Sequence, residues 1–282
     1  MNLFIDCPIG CKEDLIGSGI LVAEGELFQC PNCGQLLSSC SKKIYINSNQ
    51  SWDTEEGTWP SKNDYGRLKK RRTTDINILA KLLSKKYSEI RLLDVGSSSG
   101  SCVAIANDMG INAEGVDPSQ RAVSSGKRRG LNLHHGYLEE VAFSNNSFDA
   151  ITIHEVIEHV SDPFKLLKEC KRILTPDGVL VIGTGNTDSW TMKFRKNKWD
   201  FFDMNLHGGH ISFFSPKSLK ILANNAGFEV KKIRTYSVKF KEKEEVSYFF
   251  YRLIKIFTEL LNPSAKILGK GHQMEVYLKS IK

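Results

Sequence analysis

Asp94 and Asp117 are the two acids in this 282-residue chain whose placement says most about its chemistry. Each closes or nearly closes an apolar run, in Leu92-Leu93-Asp94-Val95-Gly96 and in Gly115-Val116-Asp117-Pro118. Between them a turn, Gly96-Ser97-Ser98-Ser99-Gly100, leads into a helical pattern. Such a strand–turn–helix unit brings an adenosine-containing cofactor to the carboxyl ends of parallel strands, where an acid about 20 residues further on meets the ribose. Asp117 lies 21 residues beyond Gly96. A dinucleotide fingerprint would read G-x-G-x-x-G, because a pyrophosphate needs close backbone approach at the helix start. Here the glycines fall as G-x-x-x-G. The pattern suits an adenosine bearing a charged amino-acid tail and no phosphates, a description that S-adenosylmethionine meets.

A second set of reactive groups follows the next apolar run: His154, Glu155, Glu158 and His159. They fall at the switch-point end of the sheet, where substrates of open α/β folds bind. Displacement of a methyl group from a sulfonium is dominated by positioning. A hydroxyl acceptor also gains from a general base, for which His159 with Glu158 is the first choice. The plainer alternative is that both brace the loop. A third cluster spans Trp199 to Pro216 and contains His207 and His210. A long connection in an α/β domain is often a functional lid. There His207 and His210 would orient or deprotonate an acceptor, with Trp190, Trp199 and Phe201 as flat surfaces for a sugar or ring. The alternative is aromatic packing of the loop onto the sheet.

Cys7 and Cys11 form C-x3-C, and Cys30 and Cys33 form C-x2-C followed by Gly34. Two such knuckles across a hairpin present four thiolates tetrahedrally to zinc. Ile20-Leu21-Val22 and Leu27-Phe28-Gln29, around Glu24-Gly25-Glu26, supply the hairpin strands. So short a segment buries little apolar area, and a structural metal would supply its folding free energy. Four cysteines leave no open position for catalysis. Cys40 is a spare ligand, while Cys102 and Cys170 read as small buried side chains in helices.

The elements that must position these groups alternate regularly. Strands at 91–95, up to Asp117, 131–135, 148–153 and 178–182 are separated by helices from Ser99, Ser119 and Asp162. This predicts an α/β fold with a Rossmann-like sheet covered on both faces, plus a small N-terminal zinc-ribbon-like module. A helix over 217–226 stops at Gly227, a strand follows at 228–233, and 273–279 supplies an antiparallel edge. The expected organisation is a module over 1–46, a linker or lid over 47–73, a core over 74–240 opening with a helix over 74–87, and a terminal segment over 241–282. Val246 to Leu261 reads as an amphipathic helix, with core packing as its default and a membrane surface or second subunit as alternatives.

Hydrophobic content of 40% and charged content of 25% are ordinary for a globular protein. The net charge of +7 favours no single partner class. Arg67, Lys69, Lys70, Arg71 and Arg72 read either as a solvated linker or as a phosphate-binding patch. No signal-peptide pattern or uncharged run of spanning length is seen, and seven cysteines without a secretion signal argue for a cytoplasmic protein.

Residues 90–236 resemble class I S-adenosylmethionine-dependent methyltransferases, close to the group containing ubiquinone-biosynthesis O-methyltransferases. With its cysteine module the chain is similar to bacterial methyltransferases associated with glycan and sugar modification. The matching motifs are Leu93-Asp94-Val95-Gly96, Gly115-Val116-Asp117-Pro118, Asn146-Ser147-Phe148-Asp149, Glu155-Val156-Ile157-Glu158-His159 and His210-Ile211-Ser212-Phe213-Phe214-Ser215-Pro216. The resemblance implies that Asp94 and Gly96 lie beside the methionine portion and that Asp117 accepts both ribose hydroxyls. It draws the cofactor site over Ser98, Gly100, Pro118, Tyr137, Leu138, His154 and Glu155 as well. Two residues depart from the family pattern. Ser98 replaces a glycine, so its hydroxyl either touches the cofactor or caps the helix. Tyr137 stands where an acid often contacts adenine.

The expected function is methyl transfer to a hydroxyl of a small molecule, sugar or glycan intermediate. The alternative is an RNA methyltransferase using the zinc module and the Arg67-to-Arg72 cluster, and a third class is a non-catalytic adaptor. Glu155, Glu158, His159 and His210 also resemble the magnesium-binding set of small-RNA 2′-O-methyltransferases.

Overall fold

The computed structural model describes residues 2–11, 13–50, 59–204, 209–241 and 243–281. A seven-stranded sheet forms the centre. Five strands are parallel: β4 (Arg91–Val95), β5 (Asn112–Asp117), β6 (Leu133–His135), β7 (Phe148–His154) and β8 (Leu174–Gly185). Beyond β8, β11 (Gln273–Ser280) runs antiparallel between β8 and β10 (Phe228–Tyr236), giving the order β10-β11-β8-β7-β4-β5-β6. From β4 the chain builds outward through β5 and β6, then returns to place β7 on the other side. The resulting switch point opens a crevice at the carboxyl ends of β4 and β7, whose register aligns Val95 with Ile153.

Alternate residues of each central strand face opposite layers. Leu93, Ile151 and Leu180 pack with Leu167 of α5 (Pro163–Ile173) and Leu222 of α7 (Pro216–Ala226). Leu92, Ala150 and Val179 face Leu79 of α2 (Lys62–Leu83) and Val103 of α3 (Ser101–Asp108). Both faces being buried explains why these strands read as nearly continuous apolar runs. Helix α4 (Gln120–Lys127) covers β5 and β6. Helix α2 begins twelve residues before the expected start at Thr74, with Ser61 accepting from Asp64 N–H as its cap. Its first turns carry Tyr65 and Leu68 against the same layer, so residues 62–73 are part of a core helix and not of a linker.

The N-terminal segment forms a second sheet, β1 (Ile16–Val22), β2 (Gly25–Gln29) and β3 (Leu36–Leu37). A fourth strand, β9 (Ser212–Phe213), comes from the main domain and pairs antiparallel with β3. The module is thereby stitched to the core. Helix α1 (Lys42–Gln50) follows it, and α6 (Trp190–Arg195) lies after β8.

Helix α8 (Tyr248–Ile267) departs from its default. It buries only Thr258 and Ala265, and one apolar face remains exposed. Amphipathicity marks such a face without saying what covers it.

Candidate functional site

The turn after β4 is built to hold Asp117. Gly96 and Ser97 N–H both donate to Val116 O, at 2.9 and 3.1 Å, folding the turn against β5. Gly96 has φ +73°, and a Cβ there would stand 2.2 Å from Val156 Cγ2, so no other residue fits without displacement. Ser98 N–H donates to Asp117 Oδ2 at 2.7 Å, and Ser119 N–H to Oδ1 at 2.8 Å. These bonds fix the carboxylate plane and leave each oxygen a free lone pair, the arrangement that receives a vicinal diol. Burial raises the Asp117 pKa, and the two amides oppose the rise. Ser98 is not the helix cap: Gly100, with φ +84°, occupies that position. Pro118 O accepts from His135 Nε2–H at 3.1 Å, and Tyr137 is about half exposed at the rim, its N–H bonded to Glu140. Leu138 is buried in the core beneath them.

Asp94 lies one strand away, fully enclosed, with Thr152 O–H donating to Oδ1 at 2.6 Å. Burial pushes its pKa up to about 6. His154 ends β7 with both ring nitrogens buried and unbonded, and burial followed by the nearby Arg72 and Arg71 holds it well below its usual pKa. The imidazole is therefore neutral, with a donor and an acceptor to offer. Glu155 has the strained φ +54° and accepts from Gln273 at 3.3 Å, while Gln273 accepts from Arg71 at 3.3 Å.

Sequence reasoning named Arg71 and Arg72 only as part of a solvated linker or phosphate-binding patch and missed their place near His154. Both sit on α2 in an ion-pair network: Arg72 bonds Asp75 at 2.8 Å, Arg71 bonds Glu275 at 2.9 Å, and Arg234 bonds Asp75 and Glu275. Arg71 Nη2 is buried without a hydrogen bond. The signal was the Arg72-x-x-Asp75 spacing beside the apolar stripe of α2. Arg67 and Lys69 pair with Asp64 and Asp108 at the surface. Most of the proposed phosphate-binding cluster is thus committed to carboxylates of the chain itself.

Glu158 and His159 lie in a short 3-10 turn (Ile157–His159) after β7. Glu158 is buried with no hydrogen-bond partner of good geometry, and burial together with Glu155 drives its pKa well above the usual range. A carboxyl so placed favours its protonated form. His210 is buried beside it: Nδ1–H donates to Phe201 O at 2.9 Å, and Nε2 faces Glu158 at 3.9 Å. The His159 and His210 rings pack edge to face, 4.6 Å between centroids. Tyr45 of α1 donates its hydroxyl to His159 O at 2.9 Å, and Ile211 N–H bonds Glu158 O at 2.9 Å, so module and β9 together frame this turn.

Trp199 and Phe201 do not offer open faces for a ring. They stack on each other and bury against Leu27 and Leu36 of the module. Trp190 opens α6, and its backbone N–H bonds Lys270 O. His207 lies outside the described residues. The Glu155, Glu158, His159 and His210 set does not close into a metal-sized group. Among the described residues the only group of three or more candidate ligands whose atoms all lie within 4.8 Å of one another is Cys7, Cys11, Cys30 and Cys33.

In that cysteine group Cys7 Sγ and Cys33 Sγ stand 3.6 Å apart. Zinc–sulfur bonds of about 2.3 Å in a tetrahedron would place sulfurs about 3.8 Å apart, so the geometry fits zinc. Burial and neighbouring Cys33 push the Cys11 thiol up to about 12, a penalty that a central cation would reverse. Gly34, with φ +75°, turns its N–H back to Cys30 O at 2.9 Å to form one knuckle. The group packs on α7, where Asn225 bonds Ile9 O and Lys217 bonds Asn32 O. Cys40 sits apart, with Phe4, Leu37 and Met204, and cannot substitute as a ligand.

Residues 68–233 match the family described as methyltransferase domain. Ubiquinone biosynthesis O-methyltransferase of Haemophilus ducreyi is 31% identical over 107 residues, 34% of this chain and 45% of that protein. The protein of the same name from Cereibacter sphaeroides is 27% identical over 153 residues, 51% of this chain and 62% of its own length. The chain therefore spans only about half the length of these curated relatives. Among solved structures, a SAM-dependent methyltransferase from Archaeoglobus fulgidus superposes with a TM-score of 0.55 at 20% identity, covering 77% of this chain and 94% of that one. One from Mesorhizobium loti gives 0.52 at 15% identity, covering 72% and 96%. With a matched family region spanning more than half its length, the chain belongs to the methyltransferase domain family, and its core has the fold of S-adenosylmethionine-dependent methyltransferases.

Proposed function

We propose that this chain transfers a methyl group from S-adenosylmethionine to a hydroxyl of a small molecule, sugar or glycan intermediate. The observation that carries the cofactor half is the Asp117 carboxylate, held by two backbone amides with both oxygens free to accept a further bond. The hydroxyl half rests on similarity to proteins named ubiquinone biosynthesis O-methyltransferase. When bound, S-adenosylmethionine supplies a sulfonium-activated methyl group. Asp117 accepts the ribose hydroxyls. At the other end Asp94 in its ionised form pairs with the ammonium, while Arg71 Nη2 and neutral His154 are the donors available to the carboxylate. Pro118, Tyr137 and Leu138 border the adenine side.

His159 takes the acceptor proton, and His210, its Nδ1–H fixed by Phe201 O, orients the pair. Glu158, buried beside His210, holds the turn through its backbone carbonyl. Zinc held by Cys7, Cys11, Cys30 and Cys33 would serve structure. It keeps β3 paired with β9 and Tyr45 on His159, so the module closes the acceptor side. The test is transfer of a labelled methyl group from S-adenosylmethionine to a panel of phenols, sugars, nucleotide sugars and RNA. Label in phenols or sugars supports the reading. Label confined to RNA, or to amines, overturns the hydroxyl assignment.

A further inference from the structure

We propose that α8 lays its outer face on an anionic lipid surface, making the protein a peripheral membrane protein. The first half of this helix, Tyr248 to Phe257, contains no buried residue. Packing is confined to the other side, where Thr258 and Ala265, two turns apart, lie against the edge strand β10 and Thr235 O–H bonds Ala265 O. The outer face carries Phe249, Leu253, Ile256, Leu260 and Ile267, at helical spacing and 48–84% exposed. Exposed Phe194, packed on Phe240, which in turn meets Phe257, widens the apolar area. Isolated exposed leucines are ordinary, but a continuous aromatic and aliphatic stripe marks an interaction surface.

Charge decides between occupants. Arg252, Lys255 and Lys266 line one edge of the stripe, with Glu259 as the single acid, 4.0 Å from Lys255. An antiparallel two-fold dimer through this face would bring the cationic edges of two copies together, in a chain already carrying +7. A phosphate-rich bilayer surface satisfies both edge and stripe, the arrangement of interfacial helices. Among the described residues no helix is long and apolar enough to cross a membrane, so α8 lies on the surface and does not span it.

The test uses the full chain and sedimentation with vesicles of phosphatidylcholine, alone or mixed with phosphatidylglycerol. The expected result is pelleting with the mixed vesicles only, reduced about tenfold or more by Leu253→Glu with Leu260→Glu and weakened by Arg252→Glu with Lys266→Glu. Unchanged melting temperature shows that these exposed substitutions leave the fold intact. Separately, Phe249→Trp should give a blue-shifted emission quenched by brominated acyl chains. No pelleting, or equal pelleting with neutral vesicles, overturns the proposal. So does a dimer in lipid-free solution that the Leu253→Glu, Leu260→Glu pair dissociates, because it gives the face to a second copy.

Discussion

Asp94→Asn should stabilise the cofactor-free protein at neutral pH while weakening cofactor binding. Asp94 is enclosed at the end of β4, and burial raises its pKa from 3.8 to about 6, against the opposing pull of Thr152 and Arg72. A folded-state pKa above the unfolded value means that the native protein binds more protons between about pH 4 and pH 6. Its stability therefore falls as pH rises through that window and stays lower above it. A shift of about two units corresponds to about 3 kcal/mol of ionisation penalty at pH 7. An asparagine keeps an oxygen for the Thr152 hydroxyl and never ionises. Urea unfolding of both proteins should give nearly equal stabilities near pH 4, with the variant ahead by about 1–3 kcal/mol at pH 7.5. Because the cofactor ammonium favours the carboxylate, native affinity should weaken about tenfold from pH 7 to pH 5, and the variant should lose most of that slope. A stability difference independent of pH, or a variant less stable at pH 7.5, would refute the reasoning.

Three other predictions follow from the site and its supports. Cys30→Ser should abolish stoichiometric zinc in metal analysis of the purified protein and lower its melting temperature, with acceptor turnover falling more than cofactor affinity, because β9 and Tyr45 lose their support. His159→Ala should cut kcat about 10²- to 10⁴-fold with cofactor Kd nearly unchanged, and a similar loss of cofactor affinity would remove it from the role of base. Asp75→Ala removes one of the two carboxylates shared by Arg72 and Arg234, leaving Glu275 alone to hold both, and should cost about 1–3 kcal/mol in urea unfolding, well beyond a surface substitution.

The central sheet was legible because its strands are buried on both faces and end in turn residues, so each apolar run marks an element and each terminal acid marks a site. Asp94 and Asp117 stand at the crevice for that reason. Elements shorter than a period were not legible. Two-residue β3 and β9 carry no alternation, and their pairing ties the module to the loop after His210 through contacts far apart in sequence. Arg71 and Arg72 looked solvated because their hydrogen-bond partners, Asp75 aside, come from β11, some 200 residues later. Trp199 and Phe201 resembled a ligand platform because aromatic content does not reveal whether another layer covers it; Leu27 and Leu36 do. The role of α8 was open for the opposite reason, since an apolar stripe is equally compatible with a core and with an unpartnered face.

The most direct measurement is a calorimetric titration of S-adenosylmethionine into zinc-loaded protein at pH 7.5, alongside Asp117→Ala. Saturable binding by the native chain and loss of at least about 2–3 kcal/mol in the variant, from two charge-assisted bonds to ribose, is the predicted outcome. Well-folded native protein that does not bind, or a variant that binds equally well, would contradict the assignment of this crevice to S-adenosylmethionine.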